Sequence, residues 1–596
     1  MKVSDYVATF LAEHGVKHVF VVTGGAIAHV IDSVARRSDI AYVCTAGEQG
    51  AAMAADAYAR VNGLGAAFAT TGPGFTNLMT GIANLYYDSV PAIFVTGQVS
   101  TFRLKHHAPG VRQLGFQEAP HVEMVKPITK YAVLVDDAKN IRFELEKALY
   151  LAREGRPGPV LIDICDDVQR VDVDPAALAS FTPPAVEENE GEVGLAVERA
   201  LALLAKAKRP VIVLGNAIRI ARMEAEALKL VRRLQVPVAP TWATMDMFAS
   251  DDPLNVGSFG VTATRRGNFA VQNADLIFSI GSRLDTHATG TPAGTFARAA
   301  RKIVVDIDAG ELGKFARQGM EIDVPIRADV RTFFRVIERM SNRIEVGNID
   351  PWHRRIRQWR KQYPPCDPSY RRQNNPVNPY VFLQALGAEA AADDLLVTDT
   401  GANLIQTFQS FPFKEGQRAF SAFNNTPMGY ALPASIGACF ARGKRRVLCL
   451  IGDGGMQVNM GELGTIAHHK LPIKIFVFNN HSYGIIQQTQ DDWLDSHYAA
   501  SRADTGMPDP DYAKIAKAFG LKTVSIMGHR GMKARVAEAL SADGPALINI
   551  DISPDQRIVP MLKAGRAIED AKPLIDREEF LKNMDVPPLP ASRTVD

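Results

Sequence analysis

Short apolar, β-branched runs recur along the chain and alternate with Ala-rich stretches of helical character. They read VKHVFVV (16–22), GAAFATT (65–71), VPAIFVTGQ (90–98), PVIVLGN (210–216), DLIFSIG (275–281), KIVVDID (302–308), RVLCLIGDGG (446–455), IKIFVFNN (473–480) and ALINIDIS (546–553). Strand-length runs alternating with helices imply parallel sheets covered by helices on both faces. The pattern predicts an α/β protein of three doubly wound parallel-sheet domains. Two shifts in composition divide it. Residues 172–194, DVDPAALASFTPPAVEENEGEVG, are rich in Pro and acid without a strand pattern and predict a linker. Residues 348–379 contain WHRRIRQWRKQYPPCDPSYRRQNNPVNP, a helix-like basic stretch running into Pro-broken chain. The expected domains are 1–171, 195–345 and 380–565, with a tail at 566–596. No short-period repeat is visible.

Length agrees with this division, since 596 residues exceed one core and suggest about three to five domains. Lys and Arg total 67 against 65 Asp and Glu, a net charge of +2, so the chain as a whole offers no field for nucleic acid or an anionic membrane. The basic junction, with Arg354, Arg355, Arg357, Arg360 and Lys361 near Trp352 and Trp359, reads as a solvated helix face with its tryptophans packed on a domain; no nucleic-acid module accompanies it. Five cysteines without a CxxC pair read as reduced fillers. The first stretch carries Asp5, Glu13 and His14 and does not resemble a signal peptide, and no run approaches the roughly 18 apolar residues of a membrane span. A cytoplasmic enzyme acting on small molecules is expected.

Gly452-Asp453-Gly454 follows one apolar run and Asn479-Asn480 closes the next, with residues 455–478 between them. Both sit where parallel strands end, the edge at which open α/β sheets bind ligands. Asp453 offers a carboxylate oxygen, Asn480 an amide oxygen and Ser482 a backbone carbonyl. Three such oxygens suit Mg²⁺, which completes its octahedron with phosphate and water. Alone, Gly-Asp-Gly reads as a tight turn; its coupling to a second strand-terminal motif favours metal and diphosphate. Neither a P-loop nor a GxGxxG is present.

These paired motifs resemble those of thiamine-diphosphate enzymes. TPMGYALPA (426–434) resembles the stretch that, in that family, presents a large apolar side chain, here Met428, beneath the thiazolium ring. The resemblance extends the cofactor shell to Asn77, Gly401, Asn403, Leu404, Gly452, Gly454, Gly455 and Tyr483. GEQGAAMAADAYAR (47–60) resembles the family's glutamate-bearing helix, and TGPGFTN (71–77) and GRPGPV (155–160) resemble further stretches of the same domain. Glu48 would then hydrogen-bond the aminopyrimidine, a role that calls for poor solvation and a raised pKa. The family likeness further implies that pyrimidine and diphosphate meet across a subunit interface, in a homodimer or homotetramer.

Between these domains, ADLI (274–277), GSRLD (281–285), Thr289-Gly290 and VDID (305–308) with Glu311 resemble the FAD-binding middle domain of acetohydroxyacid (acetolactate) synthases. That resemblance implies FAD held by Arg156, Phe116, Gly215, Gly281, Arg283, Asp306 and Asp329, with Gln117 near the reacting carbon and a Gly25 N–H beside the substrate. A middle domain that keeps its fold without the nucleotide is the alternative. Three departures bear on substrate: Thr489 stands where the family carries tryptophan, Cys165-Asp166-Asp167 where it carries Pro-Lys-Asp, and His287 where it carries a second arginine. The tail, from Ile568-Glu569-Asp570 through Arg577 to Met584, is similar to a branch associated with polysaccharide and branched-sugar synthesis. The implied activity is a carboligase that decarboxylates a 2-ketoacid such as pyruvate and passes the acyl-anion unit to a carbonyl acceptor. A plain decarboxylase, a flavin-active oxidase and a non-catalytic scaffold are the other readings.

Overall fold

In the computed structural model, which describes residues 1–185 and 189–594, every predicted apolar run contains a strand. Strands β1 (His18–Val21), β2 (Ala41–Cys44), β3 (Gly65–Ala69), β4 (Ala92–Gln98), β5 (Tyr131–Val135) and β6 (Pro159–Cys165) form one parallel sheet in the order β2-β1-β3-β4-β6-β5. The middle sheet holds β7 (Pro210–Leu214), β8 (Val238–Pro240), β9 (Leu276–Ile280), β10 (Arg301–Asp306) and β11 (Val324–Arg327), in the order β11-β10-β9-β7-β8. The third comprises β12 (Leu395–Thr398), β13 (Arg418–Phe420), β14 (Val447–Gly452), β15 (Ile473–Asn479), β16 (Lys522–Ile526) and β17 (Ala546–Asp551), in the order β13-β12-β14-β15-β17-β16. Counted from its own first strand, each six-stranded sheet therefore runs 2-1-3-4-6-5. The first and third domains are structural repeats that the sequence does not display.

Continuous apolar runs form these strands because both faces of each sheet are covered. In the first sheet Phe20, Ala67, Phe94 and Leu161 enter one core, while Val19, Val21, Phe68 and Val95 enter another on the opposite face. The first of these cores is shared with the third domain, whose Val397, Ile451, Ile475 and Val477 belong to it. Two small-residue helices make the junction, Glu48–Asn62 and Ala431–Ala441. They approach so closely that a Cβ on Gly437 would stand 1.9 Å from the Ala54 carbonyl oxygen. The same junction buries Arg60, which pairs with Asp56 and Asp88, each at 2.5 Å.

The predicted junctions are partly structured. Helix Glu190–Leu204 begins inside the expected 172–194 linker, of which 186–188 lie outside the described residues, as do 595–596 of the tail. The basic stretch forms helix Asp350–Gln362 and buries Trp352 and Trp359 in the middle domain's core. Their indole N–H groups donate to Pro210 O at 3.1 Å and Asn583 Oδ1 at 2.8 Å. Asn583 belongs to the tail, which returns to the middle domain and contributes Ile568 and Phe580 to its core. A short antiparallel pair, β18 (Met561–Leu562) and β19 (Ala571–Lys572), precedes this return. All five cysteines are unpaired, and no helix among the described residues is long and apolar enough to cross a membrane.

Because Phe580 is fully buried against Phe269, Phe580→Ala should cost about 3–5 kcal/mol of middle-domain stability. Differential scanning calorimetry should show a lowered melting transition; an unshifted one would mean that the tail is not part of that core.

Candidate active site

The two strand-end motifs of the third domain lie side by side. Strand β14 is paired with β15 in a register that sets Gly452 opposite Phe478, so Asp453 and Asn480 both emerge at the carboxyl edge of the sheet. Asp453 is 2% exposed and accepts hydrogen bonds from Gly454 N at 2.8 Å and Ser482 N at 3.2 Å, which ties the two loops together. Burial pushes its pKa up to about 7. A cation placed beside such a carboxylate would offset its burial. Asn480 Nδ2 donates to Ser482 Oγ at 2.8 Å, and its amide oxygen meets no donor among the described residues. The Ser482 carbonyl accepts from Gly484 N at 3.0 Å and keeps a second lone pair.

Above this edge the backbone forms a cradle that side chains would fill. A Cβ on Gly454 would lie 2.2 Å from Tyr483 Cε1 and 3.2 Å from Met428 Cε. Met428, 38% exposed, is held by a residue that the sequence reading missed. Asp399, at the end of β12, is fully buried and accepts from Gly429 N at 3.0 Å and Tyr430 N at 2.9 Å. A Cβ on Gly455 would fall 1.8 Å from its Oδ2, so that glycine makes room for the carboxylate. Gly401 adopts φ 106°, a conformation natural to glycine. Asn403 Nδ2 donates to Asp399 O and Leu450 O at 3.0 and 3.1 Å. The Leu404 side chain points into the apolar core with Leu448, Leu450 and Phe476, because its helix turns this position inward.

In the first domain Glu48 opens its helix, and Asn77 Nδ2 donates to Glu48 Oε2 at 3.0 Å. Contrary to the expectation of poor solvation, Glu48 is only half-buried within one chain. Its neighbours Gly47 and Gly74 carry no side chain to cover it. Gly25 begins an exposed turn. Gln117 has φ 64°, and its carbonyl accepts from Thr71 Oγ1 at 3.0 Å. Behind it lies a buried network that the sequence did not signal: His121 Nδ1 is 3.0 Å from Asp163, and Gly72 N donates to His121 Nε2 at 3.2 Å. Glu462, also missed, joins the domains by accepting from Ala46 N at 3.0 Å, and burial raises it to about 7. Asn459 Nδ2 bridges Gly429 O at 2.9 Å and Met53 Sδ, on the Glu48 helix, at 3.6 Å.

Arg156, Gly215, Gly281, Arg283, Asp306 and Asp329 converge on one cavity at the carboxyl edge of the middle sheet. Its free volume is about 190 Å³, below the ~300–1,000 Å³ usual for ligand sites. Arg156 and Arg283 turn onto Glu311, at 3.2 and 3.0 Å. Against its burial, Glu311 is held down to about 2 by Lys314 and Arg283. Phe116 does not reach this cavity; it is 84% exposed on a loop of the first domain.

Comparison with known proteins places this geometry. Models of the N-terminal, central and C-terminal domains of thiamine pyrophosphate enzymes match residues 1–121, 197–337 and 399–550. Acetolactate synthase large subunits of Cyanidium caldarium and Lactococcus lactis are each 31% identical, over 94% of both chains. Chloroplastic acetolactate synthase 2 of Zea mays is 32% identical over 96% of this chain and 88% of its own. The chain belongs to the acetolactate synthase family of thiamine-pyrophosphate enzymes. It is an acetolactate synthase-like, thiamine-pyrophosphate-dependent carboligase.

Against that family, the three departures have definite places. Thr489 is half-buried, and its hydroxyl donates back to Ile485 O at 3.1 Å. Cys165 is buried at the end of β6, while Asp167 accepts from Thr101 N at 3.0 Å and Thr101 Oγ1 at 2.6 Å. His287 lines the middle cavity with its Nε2 2.8 Å from Thr262 Oγ1, and burial lowers its pKa, so it brings no arginine-like charge.

Burial raises Asp399 to about 7, and Asp399→Asn would leave one of the two backbone N–H groups behind Met428 without its acceptor, a loss of about 1–3 kcal/mol. Thiamine pyrophosphate affinity, read by fluorescence quenching, should fall by roughly tenfold or more with the far-ultraviolet circular dichroism unchanged. Unchanged affinity would detach Asp399 from the cofactor cradle.

Proposed function

We propose that the enzyme decarboxylates a 2-ketoacid, with pyruvate the simplest fit, and joins the acyl-anion unit to a carbonyl acceptor. The observation that carries this reading is the side-by-side emergence of Asp453 and Asn480, on strands β14 and β15, beneath a cradle shared by Gly454, Tyr483 and Met428. Thiamine pyrophosphate, when bound, supplies a nucleophilic carbon and an electron sink. Asp453, the Asn480 amide oxygen and the Ser482 carbonyl would hold Mg²⁺, and the glycines from Gly452 to Gly455 let the backbone meet the diphosphate. Met428 would support the thiazolium ring. Glu48, oriented by Asn77, would hold and return a proton at the aminopyrimidine. Gln117 and the Gly25 N–H would orient substrate.

The half-burial of Glu48 supports completion of the site by a second copy of the chain, in a homodimer or homotetramer. The glycine edge and Asp306 of the middle cavity suit FAD, with Arg156 and Arg283 turning from Glu311 to its phosphates. Such a flavin would be structural, because carboligation transfers no net electrons. Phe116 would reach the flavin only in another chain's cavity. The small hydroxyl at Thr489 and the acids at 166 and 167 favour an acceptor other than the second ketoacid of acetolactate synthesis. The reduced cysteines fit a cytoplasmic enzyme.

Glu48→Gln should retain fold and cofactor while losing about 10²-fold or more in turnover. Mass spectrometry of products from pyruvate and a panel of ketoacid, aldehyde and ketosugar-nucleotide acceptors should show a new carbon–carbon bond in the wild type alone. Near wild-type turnover by the variant would remove Glu48 from the chemistry, and aldehyde release without a coupled product would make the enzyme a decarboxylase.

A further inference from the structure

Where the middle domain meets the end of the Glu48–Asn62 helix, there is a second cavity of about 510 Å³. Six arginines line it, Arg60, Arg153, Arg219, Arg222, Arg331 and Arg418, and its wall contains no Asp or Glu. Three of them are neutralised from behind. Arg60 pairs with Asp56 and Asp88, Arg219 with Glu224 and Asp246 at 3.1 and 2.7 Å, and Arg331 with Asp329 at 2.9 Å. Arg153, Arg222 and Arg418 have no carboxylate partner among the described residues.

What these three do have is weak. Arg418 donates to the Arg60 carbonyl at 3.0 Å. Arg222 lies against the helix end, where a Cβ on Gly63 would be 2.6 Å from its Nη2. The carbonyls of a helix C-terminus amount to about half a negative charge, which gives these guanidinium groups no full counter-charge at bonding distance. Burial and Arg219 lower Arg418 to about 10 against the pull of Asp246 and Glu224, and burial with Arg222 lowers Arg153. Phe420 and Phe423 complete the wall, with the Arg60 guanidinium 5.7 and 5.9 Å from their rings.

We propose that this cavity binds a phosphorylated small molecule of the nucleoside-diphosphate class at its arginine-lined end, beyond the wall, including Asn216, Arg331 and Phe423, that it shares with the middle cavity. Guanidinium forks match phosphate oxygens, and the six arginines outnumber the five carboxylates behind them, so the wall stays net positive. The volume lies in the ~300–1,000 Å³ range of ligand sites. A bare anion would leave the phenylalanine wall uncovered, whereas a base could lie on it. None of Arg60, Arg153, Arg222 and Arg418 is among the residues assigned to FAD, so the inference stands whether or not the chain takes up flavin.

Isothermal titration calorimetry of the full-length enzyme with ADP and, separately, pyrophosphate, each with and without saturating FAD, tests this. One saturable ADP site per chain is expected in both conditions, tighter than pyrophosphate. Arg222→Met and Arg418→Met should each weaken it at least tenfold; Arg418→Lys should restore part of the loss, which guards against a folding defect, and the distant surface substitution Arg36→Met should leave it unchanged. Absence of saturable binding, or binding indifferent to Arg222 and Arg418, overturns the proposal. Pyrophosphate binding as tightly as ADP overturns the nucleoside assignment. Loss of ADP binding on adding FAD, with FAD itself weakened by the two substitutions, would make the cavity part of the flavin site instead.

Discussion

The backbone-close contact between helices Glu48–Asn62 and Ala431–Ala441 governs where both halves of the site lie. Glu48 opens the first helix, and Met428 stands just before the second. With no room for a Cβ between Gly437 and the Ala54 carbonyl, the two helices cannot separate by a side-chain layer or slide without losing a continuous core. The helices occupy corresponding positions in two domains of identical strand order, each following the second strand of its sheet. The catalytic frame is thus a pair of repeats docked through their equivalent helices.

One buried carboxylate extends that frame to the middle domain. Asp88 pairs with Arg60 and accepts from Phe423 N and Asn424 N, each at 2.9 Å, in the segment that leads to Met428. Asn424 Oδ1 in turn accepts from Arg283 at 3.3 Å, and Asp88 borders the middle cavity. An occupant of that cavity would therefore be felt along the loop that leads to Met428. The flavin proposed for that cavity would act through this link without transferring electrons.

Nine apolar runs were legible as strands because they are buried on both faces, while the equally buried β6 and β12 were not singled out. The edges of the sheets were not. Strand β2 is largely exposed, and β8 and β13 are three residues long, so local pattern could not separate them from loop. The tail shows no strand or strong helix signal, and its tie to the middle core runs through Asn583, Phe580 and Ile568, contacts made across more than 200 residues of sequence. At the site, Asp453, Asn480 and Glu48 stood out because glycines and strand ends flank them. Asp399, Glu462 and His121 act by accepting backbone N–H groups from distant segments, a role that only the fold reveals. Leu404 illustrates the converse: a motif position whose side chain serves the core. Within one chain Phe116 is exposed and Glu48 half-buried.

The most direct measurement of a site shared between subunits is complementation between two inactive chains, Glu48→Gln and Asp453→Ala, mixed under conditions of subunit exchange. If the aminopyrimidine glutamate and the diphosphate metal ligands come from different chains, each hybrid dimer contains one intact site. Carboligation should then return to roughly a quarter of the wild-type rate at random exchange. A mixture that exchanges subunits, yet is no more active than either parent, would contradict the shared site.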